Sequence, residues 1–269
     1  MSPDAPAPGW VRWALRLEYD GRGFAGWQRQ APGVEAPLSV QAVLEDAAAH
    51  LTAGAPVASI VAGRTDAGVH ASAQVVQLDL PAPIAARQVR DALNFHMKPH
   101  AVAVLAAVQA PPGWNARFSA TARHYRYRIL NRRARPALDL GRVWHVPAPL
   151  DAAAMAAAAR HLLGRHDFTS FRAGACQAKS PLRTLDRLDV TAADDILTIE
   201  ATARSFLHHQ VRNMVGSLKL VGEGRWPASH LRAVLAARDR AAAGPTAPPD
   251  GLCLTGVRYD PDPFAGRHD

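Results

Sequence analysis

Two runs decide the fold. They are Ala58-Ser59-Ile60-Val61-Ala62-Gly63-Arg64-Thr65-Asp66-Ala67-Gly68-Val69-His70 and, just after it, Gln74-Val75-Val76-Gln77-Leu78-Asp79-Leu80. Ala58 to Ala62 is a mainly apolar run and reads as a buried strand. It ends at Gly63, where unusual backbone angles cost little. Gln74 to Leu80 alternates polar and apolar, the pattern of a strand with one buried face. The loop between them carries one arginine and one carboxylate and closes at Gly68. Asp66 is therefore presented at a strand end with rigid elements on both sides, a common placement for reactive groups. Taken alone, the loop reads first as ordinary turn chemistry, with Arg64 and Asp66 as a structural ion pair.

Working outward, Trp13 to Tyr19 reads as a strand, and Ser39 caps a helix with Val40, Val43, Leu44, Ala47 and Leu51 on one face. After the two central strands come a helix over Ile84 to Asn94 and a strand beginning at Val102. The order is β-α-β-β-α-β. It returns with a strand over Arg123 to Leu130, a helix over Ala152 to Leu163 capped by Asp151, and strands over Thr184 to Val190 and Ile196 to Ala203. A helix over Phe206 to Val221, an added helix over Ser229 to Arg238 and a strand over Leu252 to Tyr259 complete it. The class is α+β: two split-βαβ halves of the ferredoxin-like kind, sheets side by side, a central cleft, and helices on the outer face. The expected bounds are a tail over 1–9, a first half over 10–112 carrying the Asp66 loop, a second half over 113–262, and a tail over 263–269. Such a scaffold hosts many functions and fixes none.

The chain has 269 residues and a formal charge of +8, with a pI near 10.3. That balance favours a polyanionic partner such as nucleic acid. Two cysteines, Cys176 and Cys253, cannot build a disulfide framework, and no Cys-x-x-Cys pair suggests zinc. Of 12 histidines none shows a metal-ligand spacing, and His208 and His209, adjacent on the expected helix, point different ways. His70 reads as a structural hydrogen-bonding residue rather than a base. No basic segment leads into an apolar core at the N-terminus, and no apolar run approaches the roughly 18 residues of a membrane span, so a cytoplasmic protein is expected.

Gly21-Arg22-Gly23-Phe24-Ala25-Gly26 matches G-x-G-x-x-G letter for letter. A dinucleotide site needs a helix opening at the last glycine, and Trp27 to Gly33 has no apolar period, so an oxidoreductase reading is rejected. The loop reads either as a base- or phosphate-contacting surface carrying Trp27, Gln28 and Arg29, or as a surface loop with one buried tryptophan. Arg117 to Arg142 holds eight arginines and one acid, Asp139. Within it, alternation puts Tyr125, Tyr127 and Ile129 on one strand face and His124, Arg126 and Arg128 on the other. One face can stack on a base and the other meet phosphates, or the strand is simply amphipathic with two core tyrosines.

These pieces, in order, resemble the TruA type of tRNA pseudouridine synthase. Beside Gly63-Arg64-Thr65-Asp66-Ala67-Gly68-Val69-His70, they include Tyr19-Asp20-Gly21, Phe24-Ala25-Gly26-Trp27-Gln28-Arg29-Gln30, Ser39-Val40-Gln41, Ala116-Arg117-Phe118-Ser119-Ala120 and Tyr125-Arg126-Tyr127. Asp167-Phe168-Thr169-Ser170-Phe171-Arg172, Val211-Arg212-Asn213-Met214-Val215-Gly216 and Gly251-Leu252 follow. The resemblance implies isomerisation of uridine to pseudouridine in the anticodon stem-loop of tRNA, at positions 38, 39 and 40. It makes Asp66 the essential carboxylate, attacking the sugar or assisting glycosidic cleavage. It sets Tyr125 on the target uracil and Arg64 and Arg212 in the pocket, and implies a homodimer without metal or organic cofactor. The rival reading is a non-catalytic RNA-binding protein on the same scaffold. Three departures stand out: Gln210 where methionine is usual, which places an amide on the apolar stripe of its helix; His96 and Lys98 inside Asn94-Phe95-His96-Met97-Lys98-Pro99; and His124 for arginine.

Overall fold

A computed structural model describes residues 5–30 and 38–266. The ends of the two expected tails, 1–4 and 267–269, and the Pro32-Gly33 breaker lie outside the described residues. The architecture is α+β. Its contacts divide the chain into two compact units, 1–121 with 254–269, and 122–253.

The first unit contains strands β1 (Trp10–Tyr19), β2 (Ser59–Val61), β3 (His70–Pro81) and β4 (Val102–Gln109), with helices α1 (Val40–Ala49) and α2 (Ala86–His96). Strand β1 runs antiparallel to both β3 and β4, and β2 pairs antiparallel with β3. The last strand of the chain, β10 (Leu252–Tyr259), lies beside β3, giving the order β4-β1-β3-β10. Ser39 caps α1 as its chemistry predicts, its Oγ accepting from the Ala42 N–H at 3.2 Å.

Strand β3 departs from its alternation. Residues 74–78 are all buried, so both faces are covered rather than one. The second face is closed by the segment after β4. Gln77 Oε1 accepts from the Ala116 N–H at 2.8 Å, the Tyr259 hydroxyl donates to the Ala116 carbonyl at 2.7 Å, and Trp114 packs on Tyr259 at 5.2 Å. Buried amides survive because they are hydrogen-bonded. Phe264, in the stretch expected to be a tail, is buried beneath the Arg16 guanidinium 4.4 Å above its ring.

The second unit contains β5 (Ala120–Leu130), β6 (Trp144–His145), α3 (Ala152–Ala159), β7 (Gly164–Asp167), β8 (Leu182–Ala193), β9 (Ile196–Ala203), α4 (Gln210–Gly222) and α5 (His230–Ala237). The strand order is β5-β9-β8-β7, with β6 parallel to β5. Asp151 caps α3 as expected, accepting from Ala154 N–H at 2.9 Å. The short strands β6 and β7 have no counterpart in the hydrophobic pattern.

Helix α4 corrects the sequence reading most. It starts at Gln210, not Phe206, because His209 adopts a left-handed backbone with φ of 62° and ends the incoming loop. His208 and His209 therefore precede the helix. Gln210 is buried: its Oε1 takes the Leu207 N–H at 2.8 Å and ties the loop to the first turn, while its Nε2 has no hydrogen-bond partner among the described residues. Further along, Asn213 donates to the Phe171 carbonyl at 2.8 Å and accepts from Thr246 at 2.7 Å, fixing the Pro-rich run beside α4.

Candidate active site

Asp66 lies in the loop between β2 and β3 and is half-buried. Its neighbour Thr65 is buried, and the two are held in different ways. The Thr65 Oγ1 meets the Tyr19 hydroxyl at 2.8 Å. That hydroxyl accepts from Gln74 Nε2 at 3.2 Å, and the same amide donates to the Gly63 carbonyl at 2.8 Å. Tyr19 and Gln74 are both buried, so this chain of bonds works in a low-dielectric setting where each is strengthened. On the backbone, Val69 N–H reaches the Asp66 carbonyl at 3.1 Å and closes the turn.

The 21–30 segment supplies the other half of the support. Trp27 N–H donates to the Thr65 carbonyl at 3.0 Å, and Gly68 N–H to the Phe24 carbonyl at 3.3 Å. A Cβ on Gly21 would fall 2.2 Å from the Val69 carbonyl oxygen, and one on Gly26, at φ +102°, would fall 2.6 Å from that of Thr65. These two glycines let one loop press flat against the other. No helix opens at Gly26. The G-x-G-x-x-G run thus serves close backbone approach to the Asp66 loop, not a pyrophosphate.

Trp27 is buried and Arg29 is paired with Glu45 at 3.2 Å and Asp46 at 2.7 Å, so this is the surface loop with one buried tryptophan. His70 Nδ1 accepts from the Gly21 N–H at 3.1 Å, the structural role expected of it. Asp20 Oδ1 lies 3.3 Å from the same nitrogen. Asp20 is held far below the usual carboxylate range, chiefly by the Arg22 side chain.

Arg64 is exposed and forms no ion pair among the described residues, which removes the structural Arg64–Asp66 pair as an account of the loop.

In the second unit, the two tyrosines of β5 part company. Tyr127 is buried, with its hydroxyl donating to the Pro248 carbonyl at 2.8 Å, and burial pushes its pKa up. Tyr125 is only half-buried, and its ring meets Phe206 edge-on at 5.2 Å and 89°. Tyr127 belongs to the core, leaving Tyr125 as the accessible aromatic of the pair. Arg212 sits two residues inside α4, its Nε donating to the Ala247 carbonyl at 2.7 Å while the Ala247 N–H returns a bond to Arg212. Phe206 went unnoticed in the sequence because its place on the apolar stripe of a helix explained it.

A family model described as tRNA pseudouridine synthase matches residues 158–260. A tRNA pseudouridine synthase A of Acidiphilium cryptum (strain JF-5) is 69% identical over 94% of this chain and 98% of its own length. The chain belongs to the tRNA pseudouridine synthase A family. Relatives of the same name from Gluconobacter oxydans (strain 621H) and Paramagnetospirillum magneticum are 56% and 59% identical over 97% and 92% of the chain, and over 94% and 95% of theirs. The enzyme class of a pseudouridine synthase is isomerase, which excludes the oxidoreductase reading. Among the described residues no helix is long and apolar enough to cross a membrane.

Tyr19→Phe tests whether the buried bonds beneath Thr65 matter to turnover. The substitution removes the partner of Thr65 Oγ1 and one of two acceptors of Gln74. Stability should fall by about 1–2 kcal/mol, and turnover at saturating substrate by about tenfold through a loosened loop. A denaturant melt and initial rates across substrate concentration read the two separately.

Proposed function

We propose that this protein isomerises uridine to pseudouridine in the anticodon stem-loop of tRNA, at positions 38, 39 and 40, in the cytoplasm, as a homodimer without metal or organic cofactor. In this reading each unit is a split-βαβ half. The observation that carries it is the Asp66 loop itself, whose neighbours are fixed from two sides while the aspartate stays accessible.

The reaction breaks the C1′–N1 bond, turns the uracil, forms a C1′–C5 bond, and transfers a proton from C5 to solvent while N1 gains one. Asp66 acts as the carboxylate nucleophile at the ribose. A uridine in a stem must first leave its stack, at a cost of a few kcal/mol. Stacking on Tyr125 returns about 1–3 kcal/mol. Its edge-on contact with Phe206 holds the ring in one orientation for that role. Arg64 and Arg212 meet the polar groups of the substrate, and the arginines of 117–142 hold phosphates in register.

The test is incubation of the purified protein with an unmodified tRNA transcript carrying uridine tritiated at carbon 5. Release of one tritium per modified site is expected, with pseudouridine mapped to positions 38–40. Salt-sensitive tRNA binding without tritium release would instead establish the non-catalytic RNA-binding protein.

A further inference from the structure

The end of helix α2 carries a group of side chains that the proposed reaction does not use. Phe95 is exposed over two thirds of its surface (66%), a large area for an aromatic on a helix. The Lys98 amine lies 5.9 Å from the centre of its ring. The edge of Phe95 meets His96 at 5.2 Å and 88°, and His96 in turn lies flat against His50, at the end of α1, with ring centres 4.0 Å apart and planes within 3°. All four side chains are exposed, and none of them pairs with a carboxylate among the described residues. The acid of this helix, Asp91, is already held by Arg87 at 3.3 Å and Arg90 at 3.0 Å.

A single exposed apolar residue needs no explanation. Here the exposed ring is one of three joined aromatic rings, and a lysine stands over it. That combination has two faces of use to an RNA strand. Any base can stack on the ring, whatever its identity, and the cations can meet the adjoining phosphate. The stacked pair does not suit a metal ion, because parallel rings direct their nitrogens outward along their edges rather than toward a common point. The proposed reaction gives His96 and Lys98 no task.

We infer that Phe95, with Lys98 and the His50–His96 stack, forms a platform for an unpaired nucleobase of the RNA substrate and its phosphate, separate from the nucleoside that reacts. The platform rests on the RNA-binding part of the proposed function. It adds affinity without reading sequence, so Phe95→Ser should weaken binding of a tRNA transcript about tenfold, and Lys98→Gln about threefold. Both positions are on the surface, and the melting temperature should not move.

The deciding experiment replaces Phe95 with p-benzoylphenylalanine in the full chain, irradiates it with the transcript, and maps the products by sequencing and mass spectrometry. A crosslink to an unpaired nucleotide supports the platform. A crosslink to a second copy of the chain overturns it and makes this surface an interface between copies. Absence of any crosslink overturns it as well, as does unchanged affinity of both variants. Crosslinking needs no turnover, so the two proposals fail separately. Tritium release without an RNA crosslink sinks the platform alone, and a crosslink without tritium release sinks the assigned reaction alone.

Discussion

Asp66→Asn should bind tRNA as the parent protein does and form no measurable pseudouridine, a loss of at least about three orders of magnitude in turnover. Asparagine has nearly the same shape, and the bonds that close the loop are spared. They run through the Asp66 carbonyl to Val69, the Thr65 hydroxyl and carbonyl, and the Gly68 N–H. What disappears is the negative charge and the oxygen proposed as the nucleophile. Tritium release at saturating tRNA, beside a filter-binding isotherm and a thermal melt, separates chemistry from fold. Normal turnover by a folded variant would end the assignment of this carboxylate.

Gly21→Ala should be nearly as damaging, although residue 21 carries no side chain. Its new methyl would sit 2.2 Å from the Val69 oxygen, 2.5 Å from the Val69 carbonyl carbon and 2.7 Å from that of Gly68. All three are backbone atoms of the Asp66 loop, and none can swing aside as a side-chain end could. The two loops must separate. We expect a loss of about 2–4 kcal/mol in stability and of about a hundredfold in turnover, because a displacement near 1 Å at a reacting group is enough for that. Gly23→Ala is the control. It lies in the same run at φ +80°, with no atom within 4 Å of the added methyl. Only backbone strain of about 1–2 kcal/mol is expected there, with turnover retained. Gly21→Ala with the parent's melting point and rate would show that close loop contact is not what holds Asp66.

These outcomes bear on how much of the protein could be read before folding. Caps were legible, because Ser39 and Asp151 act on N–H groups three residues away and need nothing else. Interior strands and most helices were legible through periodicity. The start of α4 was not, since a left-handed His209 and a side chain folded back from Gln210 leave no mark on the apolar pattern. Nor were β6 and β7, which have two and four residues and exist only through their partners β5 and β8. At the site, the carboxylate was conspicuous in its loop. The residues beneath it were not, because Tyr19 and Gln74 look like ordinary strand positions until the hydroxyl and amide are seen to meet Thr65 and Gly63.

By itself the sequence determined what is local or compositional: the alternation of helices and strands, the helix caps, the basic balance, and an aspartate in a short loop at a strand end. Tertiary structure decided which of two adjacent-looking tyrosines is core and which is accessible, what the glycine run is for, and that both faces of β3 are covered. The physical reason is separation along the chain. Burial, close backbone approach and buried hydrogen bonds are set by residues such as 21 and 69, 19 and 65, or 77 and 116, and no window around either partner contains the other.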